Sequence, residues 1–174
     1  MLFRSIQRVY DKTMAHFGRV DILLYNATSA GWSEPLEVTD EHWDNTLTMN
    51  VRAPYRFIQL VVPQMIARRS GNIILMTTKA SLNIPIDDPG HKGLLAYGAA
   101  KAALNRIGSY FAEELRQHNI AVNMLSPGIV SDLAGGKRPT VEKFAPPILH
   151  LARQTAETMT GQWRNTTDYG VNWP

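Results

Sequence analysis

The sequence predicts an α/β domain in which helices cover both faces of a doubly wound parallel sheet. Two apolar runs, residues 73–76 and 120–125, each end in small polar residues, and a long helix rich in alanine is predicted between them. An amphipathic helix leads into a third apolar run at residues 21–26. Strands and helices that alternate in this way form parallel crossover units, whose ligands bind at the carboxyl ends of the strands.

The first part of the chain predicts a helix and a buried strand. Residues 2–17 have amphipathic spacing, and Gly18 follows as a stop signal. The apolar face that we expect to pack on the sheet consists of Leu2, Ile6, Val9, Tyr10 and Met14. Residues 21–26 are almost continuously apolar, which is typical of a strand buried on both faces. A loop is predicted at residues 27–35.

A second, longer helix is predicted over residues 40–67. Thr39 is its expected N-cap, because a threonine hydroxyl accepts a hydrogen bond from a free backbone N–H of the first turn. Pro54 and Pro63 lie within this stretch and should bend the helix, since proline lacks the backbone N–H.

The second half of the chain repeats the alternation of strands and helices. Its predicted elements are a strand ending at residue 76, turns at 81–92, a helix at 95–117, a strand at 120–125, a loop at 131–140, a helix at 141–156 and a strand at 163–166. No repeat and no linker interrupts it. We therefore expect residues 1–174 to form a single domain.

Composition narrows the class of protein. The chain has 174 residues, of which 44% are hydrophobic, enough for one full core. A formal charge of +3 is only mildly basic, and its cations are scattered without interleaved aromatic residues, so no nucleic-acid partner is expected. No cysteine is present, which fits a cytoplasmic protein. The alternative is a mitochondrial leader in the basic amino-terminal helix, but its apolar face favours packing instead.

Membrane and metal sites are not expected. No apolar run reaches the ~18 residues that a membrane span needs. The five histidines show no spacing typical of metal ligands, so no metal is expected. His91 lies in the turn-rich stretch before Tyr97 and either borders the site or is a solvated loop residue.

Tyr97 and Lys101 are the strongest candidates for chemistry. They stand four residues apart, which places them on one face of the predicted helix. A free phenol has a pKa of about 10 and is a poor acid or base at neutral pH. A neighbouring ammonium group favours the phenolate and is expected to lower that pKa, making the phenol a usable general acid or base. Thr77 and Thr78 end the preceding strand at the same edge and offer hydroxyl groups to a carbonyl substrate.

From about residue 5 to its end, the chain resembles the short-chain dehydrogenase/reductase family. The matching segments are Tyr97-x-x-x-Lys101, Phe17-Gly18-x-x-Asp21-x-Leu23-x-x-Asn26-Ala27, Met49-Asn50-Val51, Pro127-Gly128 and Thr160-Gly161-Gln162. These five motifs occur in the family's order and at about its spacing. The resemblance implies the carboxyl-terminal part of a Rossmann-type sheet, with four parallel strands.

The resemblance also implies catalytic roles. It implies hydride transfer between a nicotinamide cofactor and a small-molecule carbonyl or secondary alcohol. Tyr97 would donate or accept the proton, and Lys101 would lower the pKa of Tyr97 and bind the cofactor ribose. Asn50 would help to hold a proton-relay water through its backbone, and Thr78 would orient the substrate. Because the following loop is several residues longer than usual in the family, Ser81 is a second candidate for the orienting hydroxyl.

The implied cofactor is NAD or NADP. The residues implied to bind it are Asn26, Ala27, Tyr97, Lys101, Pro127 and Gly128. Three positions depart from the family's pattern around this site. Tyr25 and Thr28 stand where the family has asparagine and glycine, and Thr78 stands where it has serine. The Asp-Gly-Gly near the family's carboxyl end reads Asp168-Tyr169-Gly170 here.

A further departure concerns the phosphates of the cofactor. The family's first strand and its Thr-Gly-x-x-x-Gly-x-Gly turn, which cradle the pyrophosphate, have no counterpart in the sequence. We therefore expect a truncated domain with impaired cofactor binding and activity. The alternative is a non-catalytic domain that keeps the scaffold and acts as a binding or interaction protein.

In this family, two helices commonly pair across a dimer. They correspond to residues 40–67 and 95–117, so we expect a homo-oligomer through these segments. The small side chains that suit close helix approach are Ala99, Ala102, Ala103, Gly108 and Ala112, and the larger ones that would fill the interface are Ile107, Tyr110 and Phe111. The alternative is that these side chains simply face the sheet.

Overall fold

The structure, a computed structural model, describes residues 2–83, 92–128 and 141–173. His91 and the loop predicted at residues 131–140 lie outside these ranges.

The predicted α/β class is confirmed. The helices are α1 (Leu2–Phe17), α2 (Asp40–Leu47), α3 (Ala53–Arg68), α4 (Leu95–Arg116) and α5 (Val141–Ala152). The strands are β1 (Ile22–Tyr25), β2 (Gly71–Met76), β3 (Ile120–Ser126) and β4 (Trp163–Asn165). The last helix is shorter than predicted, because α5 ends at Ala152 rather than at residue 156.

The described strands form one parallel sheet in the order β1-β2-β3-β4. Alternate side chains of β2 enter two different apolar clusters. Ile73 and Leu75 pack with residues of α3 and α4, whereas Ile74 and Met76 pack with Leu151 of α5. Helices therefore cover both faces of the sheet, which explains why its central strands are almost continuously apolar.

Helix α1 meets the core through fewer residues than predicted. Ile6 is buried in the cluster that contains the α3 side chains, and Tyr10 packs against it. Val9 is 52% exposed, so its assignment to the packing face is wrong. The principal partner of α1 is α3 rather than the sheet itself. Gly18 ends the helix as predicted, with a φ of 73° that suits glycine.

The predicted helix over residues 40–67 is not continuous. Thr39 caps it as predicted, because its side chain accepts a hydrogen bond from the backbone N–H of His42. A π-helical turn, Thr48–Arg52, then separates α2 from α3. This turn ends just before Pro54, which has no N–H to donate to the residue four positions earlier. The helix α3 continues through Pro63 without interruption. The helix is therefore disturbed near Pro54 only, although a bend was predicted at both prolines.

Strand β1 lies at one edge of the described sheet. Its side chains Ile22 and Leu24 are 47% and 41% exposed, so one face of this edge strand is apolar and uncovered by the described residues. Within the described ranges, no helix is long and apolar enough to cross a membrane. The same residues contain no cluster of three or more side chains suited to hold a metal ion.

Candidate active site

The predicted site residues gather at the carboxyl edge of the sheet. Residues 26–28 follow β1, residues 77–78 follow β2 and residues 127–128 follow β3. The backbone N–H of Thr77 donates to the Leu125 carbonyl at 2.8 Å, which extends the pairing of β2 and β3 one residue toward this edge. Helix α4 begins here too, with Tyr97 in its first turn.

Lys101 is buried beneath this edge. Its side chain is 1% exposed, and its Nζ donates a hydrogen bond of 2.7 Å to the carbonyl oxygen of Met76, the last residue of β2. Burial lowers the pKa of the Lys101 ammonium group from its usual 10.5 to about 8. The Nζ atom lies 5.7 Å from the centre of the Tyr97 ring. The predicted pair is therefore close in space, one turn apart on α4.

The electrostatics of Tyr97 differ from the expectation. We expected the neighbouring ammonium group to lower the pKa of the phenol, but that pKa is raised. The reason is burial, which disfavours the charged phenolate more than the surrounding groups favour it. A hydrogen bond with the Thr28 side chain acts in the opposite direction and lowers the pKa. The Lys101 ammonium group meanwhile donates to a backbone carbonyl of β2.

Thr28 is hydrogen-bonded to the side chain of Asn50. The Thr28 hydroxyl donates a hydrogen bond of 2.7 Å to Oδ1 of the Asn50 amide. The Asn50 side chain is buried, and its Nδ2 donates to the carbonyl oxygens of Ser29 at 2.7 Å and Thr46 at 3.0 Å. These two carbonyl partners orient the amide, so that Oδ1 faces Thr28. The Thr28 hydroxyl, which lowers the pKa of Tyr97, is thus itself bonded to a buried and oriented amide.

The π-helical turn determines the environment of the Asn50 backbone carbonyl. Asn50 lies in the middle of Thr48–Arg52, where the N–H of Ala53 bonds to the carbonyl five residues earlier, that of Thr48. Pro54 cannot donate to the carbonyl of Asn50, because it has no N–H. The irregular turn therefore leaves the Asn50 carbonyl without its usual helical donor. This suits the backbone role that the family resemblance implies for this residue.

The two candidate hydroxyl groups after β2 have different environments. The Ser81 hydroxyl is buried; it donates to the Thr78 carbonyl and accepts a hydrogen bond of 2.7 Å from the Asn105 side chain of α4. The Thr78 hydroxyl accepts from the backbone N–H of Ala80 at 3.2 Å, and this residue is half-buried. Ser81 thus fastens the turn Lys79–Ser81 to α4, while Thr78 lies at the start of that turn with its O–H uncommitted in the described hydrogen bonds.

The turn after β1 carries the first implied cofactor residues. Asn26 and Ala27 are exposed immediately beyond the strand. Tyr25, which stands where the family has asparagine, is buried instead, and its hydroxyl donates to the Met49 carbonyl at 2.6 Å. Burial raises the pKa of the Tyr25 phenol to about 12. This tyrosine therefore ties the end of β1 to the π-helical turn that contains Asn50.

The turn after β3 carries the other implied cofactor residues. Pro127 and Gly128 are half-buried, and Gly128 has a φ of 75°, which favours glycine. Thr166, which follows β4, donates its hydroxyl to the Pro127 carbonyl at 2.7 Å. The last strand thus supports this turn. Because β2 lies between β1 and β3, the two groups of implied cofactor residues flank the end of β2.

A separate pocket of about 290 Å³ lies beside the loop that carries Thr28. It is lined by Ser29, Ala30, Gly31, Thr39, Glu41, His42 and Asn45. None of the catalytic candidates lines it, so it is not the place where Tyr97 would meet a substrate.

The sequence did not predict the part that three residues play in this region. Thr28 was recognised only as a departure from the family's glycine, and neither Asn105 nor Thr166 was singled out. A hydroxyl-bearing residue in place of glycine, beside a predicted site, was the available signal for Thr28. Nothing in the local pattern distinguishes Asn105 or Thr166 from other polar residues of a helix or a strand end.

Comparisons with known proteins identify the family of the chain. The family model described as short chain dehydrogenase matches residues 3–140. The 3-oxoacyl-(acyl-carrier-protein) reductase FabG of Thermotoga maritima is 28% identical, over 91% of this chain and 69% of that protein. The human dehydrogenase/reductase SDR family member 4 is 35% identical over 65% of this chain and 39% of that protein.

The same family is found among solved structures. A metagenomic short-chain oxidoreductase in complex with NADP superposes with a TM-score of 0.76 at 28% identity, covering 94% of this chain and 69% of that one. A putative NAD(P)-dependent gluconate 5-dehydrogenase from Beutenbergia cavernae reaches a TM-score of 0.81 at 24% identity and supports the fold. With its parallel sheet and this family match, the chain belongs to the short-chain dehydrogenase family of oxidoreductases.

Proposed function

We propose that this protein is a nicotinamide-dependent oxidoreductase that interconverts a small-molecule carbonyl and a secondary alcohol. The observation that carries the proposal is the pairing of Tyr97 with a buried Lys101 at the carboxyl edge of the parallel sheet. Ligands of such sheets bind at this edge, and a phenol beside an amine is suited to move a proton there. The NADP-bound relative supports a nicotinamide cofactor.

The phenol of Tyr97 is the proton donor in this proposal. Because its pKa is raised, it is protonated at neutral pH, as the reduction of a carbonyl requires. A reduced nicotinamide, when bound, supplies the hydride to the carbonyl carbon. Tyr97 then transfers its proton to the carbonyl oxygen, and the resulting phenolate lies near the Lys101 ammonium group. The reverse transfer serves alcohol oxidation.

Thr78 is the hydroxyl group that we assign to substrate orientation. The Ser81 hydroxyl is buried and already engaged with the Thr78 carbonyl and the Asn105 amide. That of Thr78 keeps a proton to donate to a substrate oxygen, which supports this residue over Ser81. Asn50 would hold a water of the proton relay through its backbone carbonyl, since Pro54 leaves that oxygen without its helical donor.

The turns on either side of β2 are the proposed cofactor contacts. Asn26 and Ala27 would support the adenine side, and Pro127 and Gly128 the nicotinamide end. The sequence contains no glycine-rich turn for the pyrophosphate, so we propose that residues 1–174 form a single truncated domain with impaired activity by itself. A homo-oligomer through the helices at residues 40–67 and 95–117 is part of the same proposal.

The test is a version of the chain extended by the glycine-rich half of a relative. With NADH or NADPH and a panel of ketones, this version should show turnover, and Tyr97→Phe should lower kcat by about 10²–10⁴ because the proton donor is lost. Tyr110→Phe, on an exposed ring of the same helix, is the matched control and should keep its activity. Near-full rates in the Tyr97→Phe variant would overturn the assignment.

A further inference from the structure

We propose that Trp32 determines substrate specificity, as an aromatic wall near Tyr97 that favours ketones and secondary alcohols carrying a flat ring. The inference rests on the proposed function above and adds a class of substrate to it. Trp32 lies between β1 and α2 and is 51% exposed. Neither the sequence motifs nor the predicted site residues include it.

The loop before Trp32 is held in place by α2 and by the π-helical turn. Nδ2 of the buried Asn50 amide donates a hydrogen bond of 2.7 Å to the Ser29 carbonyl. Gly31 lies directly against the His42 ring, where an added Cβ would come within 2.7 Å of Cε1. The backbone that carries the indole is therefore fixed from this side.

On its other side, Trp32 packs on the segment that leads into α4. The backbone N–H of Ser33 donates to the Gly93 carbonyl at 3.1 Å. Gly93 has a φ of 70°, and a Cβ added to it would lie 3.1 Å from Cε3 of the Trp32 ring and 3.3 Å from the Ser33 carbonyl oxygen. The indole thus contacts the backbone of position 93, with no room for a side chain between them.

This contact places the indole near Tyr97. The backbone N–H of Gly98 donates to the Leu94 carbonyl at 2.7 Å, so the hydrogen bonds of the helix begin directly after Gly93. The Trp32 ring therefore lies within roughly 13 Å of the Tyr97 Cα, given the spacing of Cα atoms and the pitch of a helix. Side chains of a helix tilt toward its N-terminus, which directs the phenol toward this end of α4. A substrate bonded to that phenol has the indole within reach of its flanking group.

An exposed indole on a fixed loop is suited to bind a flat ring. A single exposed apolar side chain is ordinary by itself, and the position of Trp32 beside the candidate site gives it this role. Burial of a ring against the indole adds an offset or edge-to-face contact to the hydrophobic gain. Because the loop is already held, little conformational entropy is lost on binding. Small alkyl groups gain less, since they offer neither the flat area nor the aromatic contact.

The first experiment measures binding to the 174-residue chain without cofactor or turnover. Labelling with 5-fluorotryptophan gives fluorine NMR signals for the four tryptophans, and the signal missing in Trp32→Phe is that of Trp32. The probes are 1-phenylethanol and 2-butanol. Titration with 1-phenylethanol should shift the Trp32 signal saturably, with a Kd at least about tenfold lower than that of 2-butanol.

The second experiment compares two ketones in the version extended by the glycine-rich half of a relative. Trp32→Ala should lower kcat/KM for acetophenone about tenfold and leave that for 2-butanone within about twofold. Trp32→Phe keeps a flat ring and should retain most of the preference. Leu36→Ala, which removes a fully exposed apolar side chain a little further along the chain, is the matched control and should change neither value.

Equal affinities for the two alcohols, or an equal fall in kcat/KM for the two ketones in Trp32→Ala, would overturn the inference. Turnover of acetophenone that does not depend on Trp32 would overturn it while leaving the proposed function intact. If the extended version turned over neither ketone, the proposed function would fail, and the titration would still decide whether Trp32 binds a ring.

Discussion

Nζ of Lys101 lies 2.7 Å from the carbonyl oxygen of Met76 and donates a hydrogen bond to it. The bond fastens the first turns of α4 to the end of β2, at the edge where the candidate site residues meet. The same bond holds the Lys101 ammonium group in the interior, where the residue is 1% exposed. Burial there lowers the pKa of Lys101 to about 8. A structural contact and the electrostatics of the site are thus set by the same side chain.

The first prediction is that Lys101 makes the stability of the chain depend on pH. Its pKa falls from 10.5 to about 8 on folding, so between these values the unfolded chain binds more protons than the folded one. The free energy of unfolding should therefore rise with pH in this window. Relative to Lys101→Met, we expect a rise of about 2 kcal/mol between about pH 7.5 and pH 9.5, measured by urea unfolding. Lys12→Met, which removes an exposed lysine from α1, is the control for the loss of charge. If the free energies of unfolding of wild type and Lys101→Met changed with pH in parallel, the prediction would be contradicted.

The second prediction separates the two hydroxyl groups after β2. In the extended version, Thr78→Val should lower kcat by about 10²–10³, the usual effect of removing one donor to a developing oxyanion. Thr78→Ser should restore most of the rate. Ser81→Ala should instead destabilise the fold by about 1–3 kcal/mol, because it leaves the half-buried Asn105 amide without its acceptor. If Ser81→Ala were stable but inactive, the roles of the two residues would have to be exchanged.

The third prediction concerns pairing through the helices at residues 40–67 and 95–117. Gly108 and Ala112 were expected to suit this interface, but both are buried in the core against strand β3: Gly108 lies next to Met124, and Ala112 belongs to the same apolar cluster as Val122 and Met124. For these two residues the alternative, packing on the sheet, is correct.

Tyr110 remains available for such an interface, because it is 66% exposed and points away from the core. Tyr110→Glu should therefore dissociate the oligomer in sedimentation velocity, since it places a charge in the contact. Leu36→Glu, at a fully exposed position outside these helices, is the matched control. A wild-type chain that sediments only as a folded monomer would count against the pairing.

The fourth prediction concerns the edge strand β1. Its backbone is unpaired on one side in the described sheet, and Ile22 and Leu24 expose apolar side chains there. Such edges pair with other chains. We expect the isolated chain to aggregate or to pair through residues 21–26, and Leu24→Lys to reduce light scattering. Val171→Lys, at another exposed apolar position, is the control. Fast amide exchange across β1 in a soluble, cooperatively folding monomer would show that the edge is tolerated and would favour the non-catalytic alternative.

The fifth prediction is that the 174-residue chain binds nicotinamide cofactors weakly. The reason is the missing glycine-rich turn, whose backbone and helix dipole supply the principal contacts to the pyrophosphate. Titration of the purified chain with NADH and with NADPH, followed by tryptophan fluorescence, measures this directly. Binding at low micromolar concentration together with turnover of a ketone by this chain would refute it.

The sequence by itself determined the class of fold, and it predicted the edge of the sheet where the candidate site lies. Apolar runs that end in polar residues identify parallel strands and their carboxyl ends, because both signals are local and repeat along the chain. The four-residue spacing of Tyr97 and Lys101 determines their common face once the helix is recognised. The Thr39 cap and the Gly18 stop are likewise short-range features, and the structure confirms both.

Only the tertiary structure decided how these residues behave. The sign of the pKa shift of Tyr97 depends on how deeply the phenol is buried, and burial comes from segments distant in the chain. The contacts of Thr28 with Asn50 and of Ser81 with Asn105 each join residues more than twenty positions apart. No local pattern encodes such a distance, because side chains far apart in sequence become neighbours only when the strands pair and the helices pack. Spacing therefore predicted the proposed acid and its amine, and packing determined which side chains lie near them.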